Sequence, residues 1–169
     1  AALPAPEGPP RRPVGRILIA AAVAIALAVT AVVVLIRDEP TTIAAGTWPF
    51  GIAVNPTTNR VYVMNQGSDS LTVIDGATNA SSAVLAVGSV PFSLALNPVT
   101  NKVYVANGYG DTVSVVDGAT NRTATVLTGT QPNSGAVNPA TNKIYVANSN
   151  SNNVTVISGL TNGVSSVAV

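Results

Sequence analysis

The segment NPTTNRVYVMN, residues 55–65, returns as NPVTNKVYVAN at 97–107 and again as NPATNKIYVAN at 138–148. The copies are 42 and then 41 positions apart. Self-similarity on that scale marks stacked units, because a unit of about forty residues cannot bury its own apolar face and must pack on a copy of itself. No other feature of the chain restricts its fold as much.

Aligned copies show four short strands per unit. The first reads FGIAVN (50–55), FSLALN (92–97) and NSGAVN (133–138). A turn follows, PTTN, PVTN or PATN, in which proline sets φ for position i+1 and the closing Asn tolerates the left-handed region. The second strand, RVYVMN, KVYVAN or KIYVAN, is apolar at almost every position, as expected of a strand covered on both faces. Polar loops come next, QGSDS (66–70), GYGDT (108–112) and SNSNN (149–153), before the third strands LTVID, VSVVD and VTVIS. The turn GATN then occurs twice and GLTN once. Asp75 and Asp117 are placed to accept backbone N–H bonds there, with Gly76 and Gly118 expected at positive φ. The fourth strands are SAVLAV, TATVLT and VSSVAV.

Four antiparallel strands per forty-odd residues describe a β-propeller blade. Val/Thr/Tyr-rich strands with Asn-Pro and Asp-Gly turns exclude helical repeats of similar period. The expected class is all-β, with three four-stranded antiparallel blades (about 49–88, 91–129 and 132–169) in an open, incomplete ring. The segments NRVYVMN, NKVYVAN and NKIYVAN, each followed ten residues later by Asp or Ser, resemble the YVTN family of β-propeller repeats over 49–169. That resemblance implies an exported surface or periplasmic module for binding or recognition.

The first forty residues are different material. Residues 1–16 hold five prolines and three arginines and read as a disordered cytoplasmic tail. Ile17–Ile36 is an uncharged run of twenty residues, twelve of them Ile, Leu or Val. Its helical length, about 30 Å, matches a bilayer's hydrocarbon core. Those twelve side chains favour insertion by very roughly 4–7 kcal/mol. Arg11, Arg12 and Arg16 precede the span, whereas Arg37 is followed by Asp38 and Glu39. The expectation is a single-pass membrane anchor with its N-terminus cytoplasmic and the repeats extracytoplasmic. The alternative is a secreted protein released by cleavage after VTA (29–31), although a signal peptide's apolar region is usually shorter.

Composition narrows the chemistry. There is no Cys and no His, which removes disulfides, thiolate sites and the commonest general base and metal ligand. The repeat region also lacks Glu; its acids are Asp69, Asp75, Asp111 and Asp117. Against them stand Arg60, Lys102, Arg122 and Lys143, leaving no positive groove for nucleic acid. Enzymes with similar folds, lactonases and a lyase acting on a cyclic peptide antibiotic, resemble one another in using histidine, clustered Glu and Arg, or a divalent metal. The expectation is therefore no catalysis, no cofactor and no metal. One relative is a single-stranded DNA binder, a reading that the charge balance disfavours.

Candidate binding residues are the rim loops between second and third strands: Asn65, Gln66, Asp69, Asn107, Tyr109, Asp111, Asn148, Asn150 and Asn152. A rigid scaffold presents such loops for recognition, here of an extracellular protein or a small molecule. Tyr62, Tyr104 and Tyr145 recur mid-strand and read as packing residues. Sequons at Asn79, Asn121 and Asn153 reflect Asn/Thr-rich turns. The layout also resembles the external half of a bacterial receptor-type Ser/Thr kinase, with the kinase domain before Ala1; this alternative rests on layout alone.

Residues 41–46, TTIAAG, match the end of a repeat, as in SAVLAVG and ATVLTG. They read as a lone outer strand, extended and unpaired in this chain. The expectation is an arc closed by further repeats after Val169 or by self-association.

Overall fold

The computed structural model describes residues 42–169. The proline-rich stretch 1–16 and the apolar run 17–36 lie outside them. Among the described residues no helix is long and apolar enough to cross a membrane.

Twelve strands form three four-stranded antiparallel sheets. Sheet 1 contains β1 (Pro49–Asn55), β2 (Arg60–Asn65), β3 (Ser70–Asp75) and β4 (Ala80–Ala86). Sheet 2 contains β5 (Pro91–Asn97), β6 (Lys102–Asn107), β7 (Thr112–Asp117) and β8 (Thr123–Leu127). Sheet 3 contains β9 (Pro132–Asn138), β10 (Lys143–Asn148), β11 (Asn153–Ser158) and β12 (Val164–Ala168). Each is a plain meander, and each first strand starts at a proline, one residue earlier than the apolar pattern suggests. A proline at the first residue of a strand gives up no ladder donor that the sheet needs. Residues 42–46 carry no strand pairing.

The sheets approach one another chiefly through their first strands, β1 against β5 and β5 against β9. Registered pairs place Tyr62, Met64, Leu71 and Val73 on the face of sheet 1 turned toward sheet 2. We call this the trailing face. It packs on the leading face of sheet 2, which presents Val103, Val105 and Val116. The trailing face of sheet 2, with Tyr104, Val113, Val115 and Val126, packs in turn on Ile144, Val146 and Ile157 of sheet 3. The core is thus two apolar layers between three sheets, and sheet 2 is covered on both sides. Burying each such side chain contributes about 1.5–3 kcal/mol. The same requirement makes the second strands apolar at consecutive positions.

Each repeat contains four residues at positive φ, one in every connection. Asn59, Asn101 and Asn142 close the first turn, with φ of 51°, 52° and 49°. Asp69, Asp111 and Asn152 close the second, and Asn79, Asn121 and Asn162 the third. Gly76 and Gly118 do not take positive φ, contrary to the sequence-based expectation; no glycine among the described residues does. The asparagine three positions on carries the reversal instead, its short polar side chain tolerating the region. Glycine is needed at 118 for space: a Cβ there would lie 2.5 Å from both Asn101 Oδ1 and the Tyr62 hydroxyl.

Candidate ligand-binding rim

The fourth positive-φ position is the least expected. Trp48, Val90 and Gln131, each preceding a strand-initiating proline, sit at φ of 49°, 48° and 55°. For a β-branched residue such as Val90 this conformation is strained. Local hydrogen bonds hold it. The Val90 N–H donates to the Asp69 carboxylate at 2.7 Å, and the Gln131 N–H donates to the Asp111 carboxylate at 2.8 Å. The carbonyls of Trp48, Val90 and Gln131 accept from the N–H groups of Gln66, Gly108 and Ser149. The linkers into sheets 2 and 3 are thus clamped to the loop of the preceding sheet and to the loop of their own, and the linker into sheet 1 to its own loop.

These loops and linkers make one rim, and all nine sequence-predicted site residues are found on it or at its border. The structure gives them different tasks. Asn65, Asn107 and Asn148 are buried strand ends. Their side-chain amides donate to Thr72 Oγ1, Ser114 Oγ and Thr155 Oγ1 at 2.9, 3.0 and 2.8 Å. Two of these hydroxyls also accept from the incoming linkers, through the N–H groups of Gly88 and Gly129. Asp69 and Asp111 are the linker clamps just described. Gln66 spans two sheets, its amide donating to the Pro91 carbonyl at 3.4 Å. Tyr109, Asn150 and Asn152 remain exposed.

Of the rim's aromatics, sequence reasoning named Tyr109 and missed Trp48 and Phe92. In each first strand one residue forms a bulge opposite the second strand: Phe50, Phe92 and Asn133. Bulges re-aim a side chain, and that of Phe92 lies against the rim loop at Gly108 and Tyr109. Phe92 meets Tyr109 edge to face, with ring centroids 5.7 Å apart. Tyr109 is 69% exposed, and Trp48, the only tryptophan, is 72% exposed. The available signal was negative: Trp48 and Phe92, like Tyr109, lie outside the repeated YV positions that build the core.

The opposite rim holds the short turns. Asp75 Oδ1 accepts from the backbone N–H groups of Thr78 and Ala77, and Asp117 Oδ1 from those of Thr120 and Ala119. The Thr78 and Thr120 backbone bonds are the first cause holding both carboxyls below their ordinary range. Here the expected turn role is seen directly. Burial raises the phenols of Tyr62 and Tyr104, which pack between sheets, whereas Tyr145 on the last sheet is 40% exposed. Further ties run from sheet to sheet. Asn55 and Asn97 donate to Asn101 and Asn142 at 2.8 and 3.0 Å, and Arg60 and Lys102 donate to the carbonyls of Gly118 and Gly159. No group of three or more acidic side chains among the described residues could hold a metal ion.

The sequence matches no family model and no curated protein. Solved structures do match. Hydrazine synthase from Kuenenia stuttgartiensis is 26% identical with a TM-score of 0.68, over 79% of this chain and 39% of that one. A functionally unknown protein from Desulfotomaculum acetoxidans is 19% identical with a TM-score of 0.59, over 71% of this chain and 41% of that one. The β-propeller domain of Cps50 (Swd1) from Myceliophteria thermophila is 11% identical with a TM-score of 0.63, over 76% of this chain and 41% of that one. The three sheets are β-propeller blades. The chain spans about two fifths of the solved structures it matches.

Proposed function

We propose that this chain is a YVTN-type propeller module, anchored in a membrane through Ile17–Ile36, that binds an extracytoplasmic ligand on the rim bearing Trp48, Phe92 and Tyr109. The observation that carries this reading is the division of labour on that rim. The rim's carboxyl groups, Asp69 and Asp111, accept linker N–H bonds, while Tyr109 and Trp48 stand exposed. A face with its carboxylates engaged and its aromatics free is suited to contact rather than to acid–base chemistry. The solved likenesses to propeller domains support a binding or scaffold module in general terms.

Trp48 supplies the assay. Its emission in the full chain, titrated with soluble peptides and oligosaccharides, should shift for a true ligand. Tyr109→Ala should weaken that ligand about tenfold, equivalent to about 1.4 kcal/mol. A ligand bound with unchanged affinity by Tyr109→Ala, or one that leaves Trp48 emission unaltered, would overturn the assignment to this rim. The anchor has its own check: the protein should stay with membranes after carbonate extraction, and recovery in the soluble fraction with an N-terminus near Val32 would refute it.

A further inference from the structure

The first two copies of the repeat stand 42 residues apart and the next two 41, and the extra residue has a definite place. In β4, Ser82 bulges between the pairs Val73↔Ala83 and Ile74↔Ser81, and its hydroxyl donates to the Val73 carbonyl at 3.1 Å. β8 pairs with β7 without a break, so Ala124 stands opposite Val115 with no bulged residue beside it. A cavity of about 330 Å³ lies here, with Val115 and Ala124 as its apolar part. Its polar part comes from the short-turn rim: Lys102, Asp117 and Arg122 of sheet 2, and Asn162 from the last turn of sheet 3. Both walls belong to one internal joint of this chain.

Donors dominate this lining. Lys102 donates to the Gly159 carbonyl at 2.8 Å and keeps two further protons. Arg122 is exposed and brings a planar fork of N–H groups; its counterparts are Ala80 and Gly163, so the second cation occurs in this unit alone. Asn162 Oδ1 is buried without a partner, which leaves Nδ2 as the end of that amide able to meet a ligand. The one carboxylate is turned to its own turn, where Asp117 Oδ1 accepts the N–H groups of Ala119 and Thr120.

We propose that this cavity binds a monocarboxylate of monosaccharide size, an acidic sugar of the uronate class. Its carboxylate sits on the Arg122 fork beside Lys102, and its carbon face lies over Val115 and Ala124. Charge decides between anions. Lys102, Arg122 and Asp117 leave the lining one positive charge, which one carboxylate neutralises. A phosphate ester, at about −1.5 to −2, would leave surplus negative charge beside Asp117. Bidentate pairing with a carboxylate is what a guanidinium does best. The volume is at the small end of the roughly 300–1,000 Å³ usual for small-molecule sites, which suits a single sugar ring. A free uronate and a uronate unit of a polysaccharide present this same chemistry. The site lies on the rim opposite Trp48, Phe92 and Tyr109 and does not depend on ligand binding there.

Calorimetric titration of the full chain in detergent with glucuronate should show one site that weakens as salt rises. Glucose and glucose 6-phosphate should both bind more weakly than glucuronate. Arg122→Ala should weaken glucuronate roughly ten- to a hundredfold through the lost charge-assisted bonds. Its counterparts show that the turn folds without the arginine, and a thermal melt like the parent's checks this. Thr123→Asp, at an exposed position of the same lining, adds a carboxylate and should abolish binding. Tyr109→Ala should leave glucuronate affinity unchanged, which separates this site from the aromatic rim. An oligogalacturonate distinguishes the sources: tighter binding than the single sugar assigns the polymer unit, and exclusion assigns the free acid. Four results overturn the proposal: no binding of glucuronate at millimolar concentration, glucose bound as tightly, glucose 6-phosphate bound more tightly, or an unchanged affinity in Arg122→Ala.

Discussion

At the scale of single residues, the repeated polar positions divide into those that shape a turn locally and those that reach another sheet. Asp75 and Asp117 belong to the first group, and their role was readable because an Asp-Gly turn is decided within four residues. Asp69 and Asp111 belong to the second. Their acceptors serve Val90 and Gln131, 21 and 20 positions away, a separation over which no turn rule operates. Asp69→Ala should destabilise the fold by about 1.5–3 kcal/mol in urea unfolding, because a bond to a charged acceptor is lost. The loss should occur without any ligand, which separates the clamp from a binding role. Val90→Asn should act in the opposite sense, raising stability by about 1 kcal/mol as a β-branched side chain leaves the left-handed region. The Asp75 and Asp117 carboxyls are depressed in the folded state, so their stabilisation is present above the unfolded value of about 3.9 and is lost as pH falls through the lower folded value. Asp75→Asn combined with Asp117→Asn should therefore flatten the acid limb of stability below about pH 4 and leave the neutral region nearly unchanged in slope.

At the scale of the element, strand positions were legible from hydrophobic pattern and turn chemistry together, to within a residue or two. The error at the first strands was systematic, because proline reads as a breaker unless its missing donor faces away from the ladder. The bulges at Phe50, Phe92 and Asn133 left no trace in a six-residue pattern, so that of the rim's aromatics only Tyr109 was read. Glycine positions also misled, since the turn glycines serve close approach rather than backbone reversal. Two substitutions separate these uses. Gly118→Ala drives a Cβ into Asn101 and Tyr62 and should cost about 1–3 kcal/mol. Gly135→Ala meets nothing nearer than the Tyr145 carbonyl at 3.8 Å and should stabilise β9 by about 0.5–1 kcal/mol. Thermal melts of the two variants should move in opposite directions.

At the scale of the whole arc, burial is uneven and stability should follow it. Sheet 2 has apolar layers on both sides, while every residue of β12 is exposed. Native-state hydrogen exchange should be slowest in β6 and β7 and fastest in β12, and equal protection of all three sheets would indicate that the outer faces are covered. Another consequence follows from the ties themselves. Every hydrogen bond between sheets joins one repeat to its immediate neighbour, and each repeat holds a donor for the unit ahead and a receiver for the unit behind. Excision or duplication of one 41- or 42-residue unit therefore regenerates an intact junction at the splice. Such a gene can change its copy number by unequal recombination without first evolving a new interface, and selection then acts on the number of blades rather than on their joints.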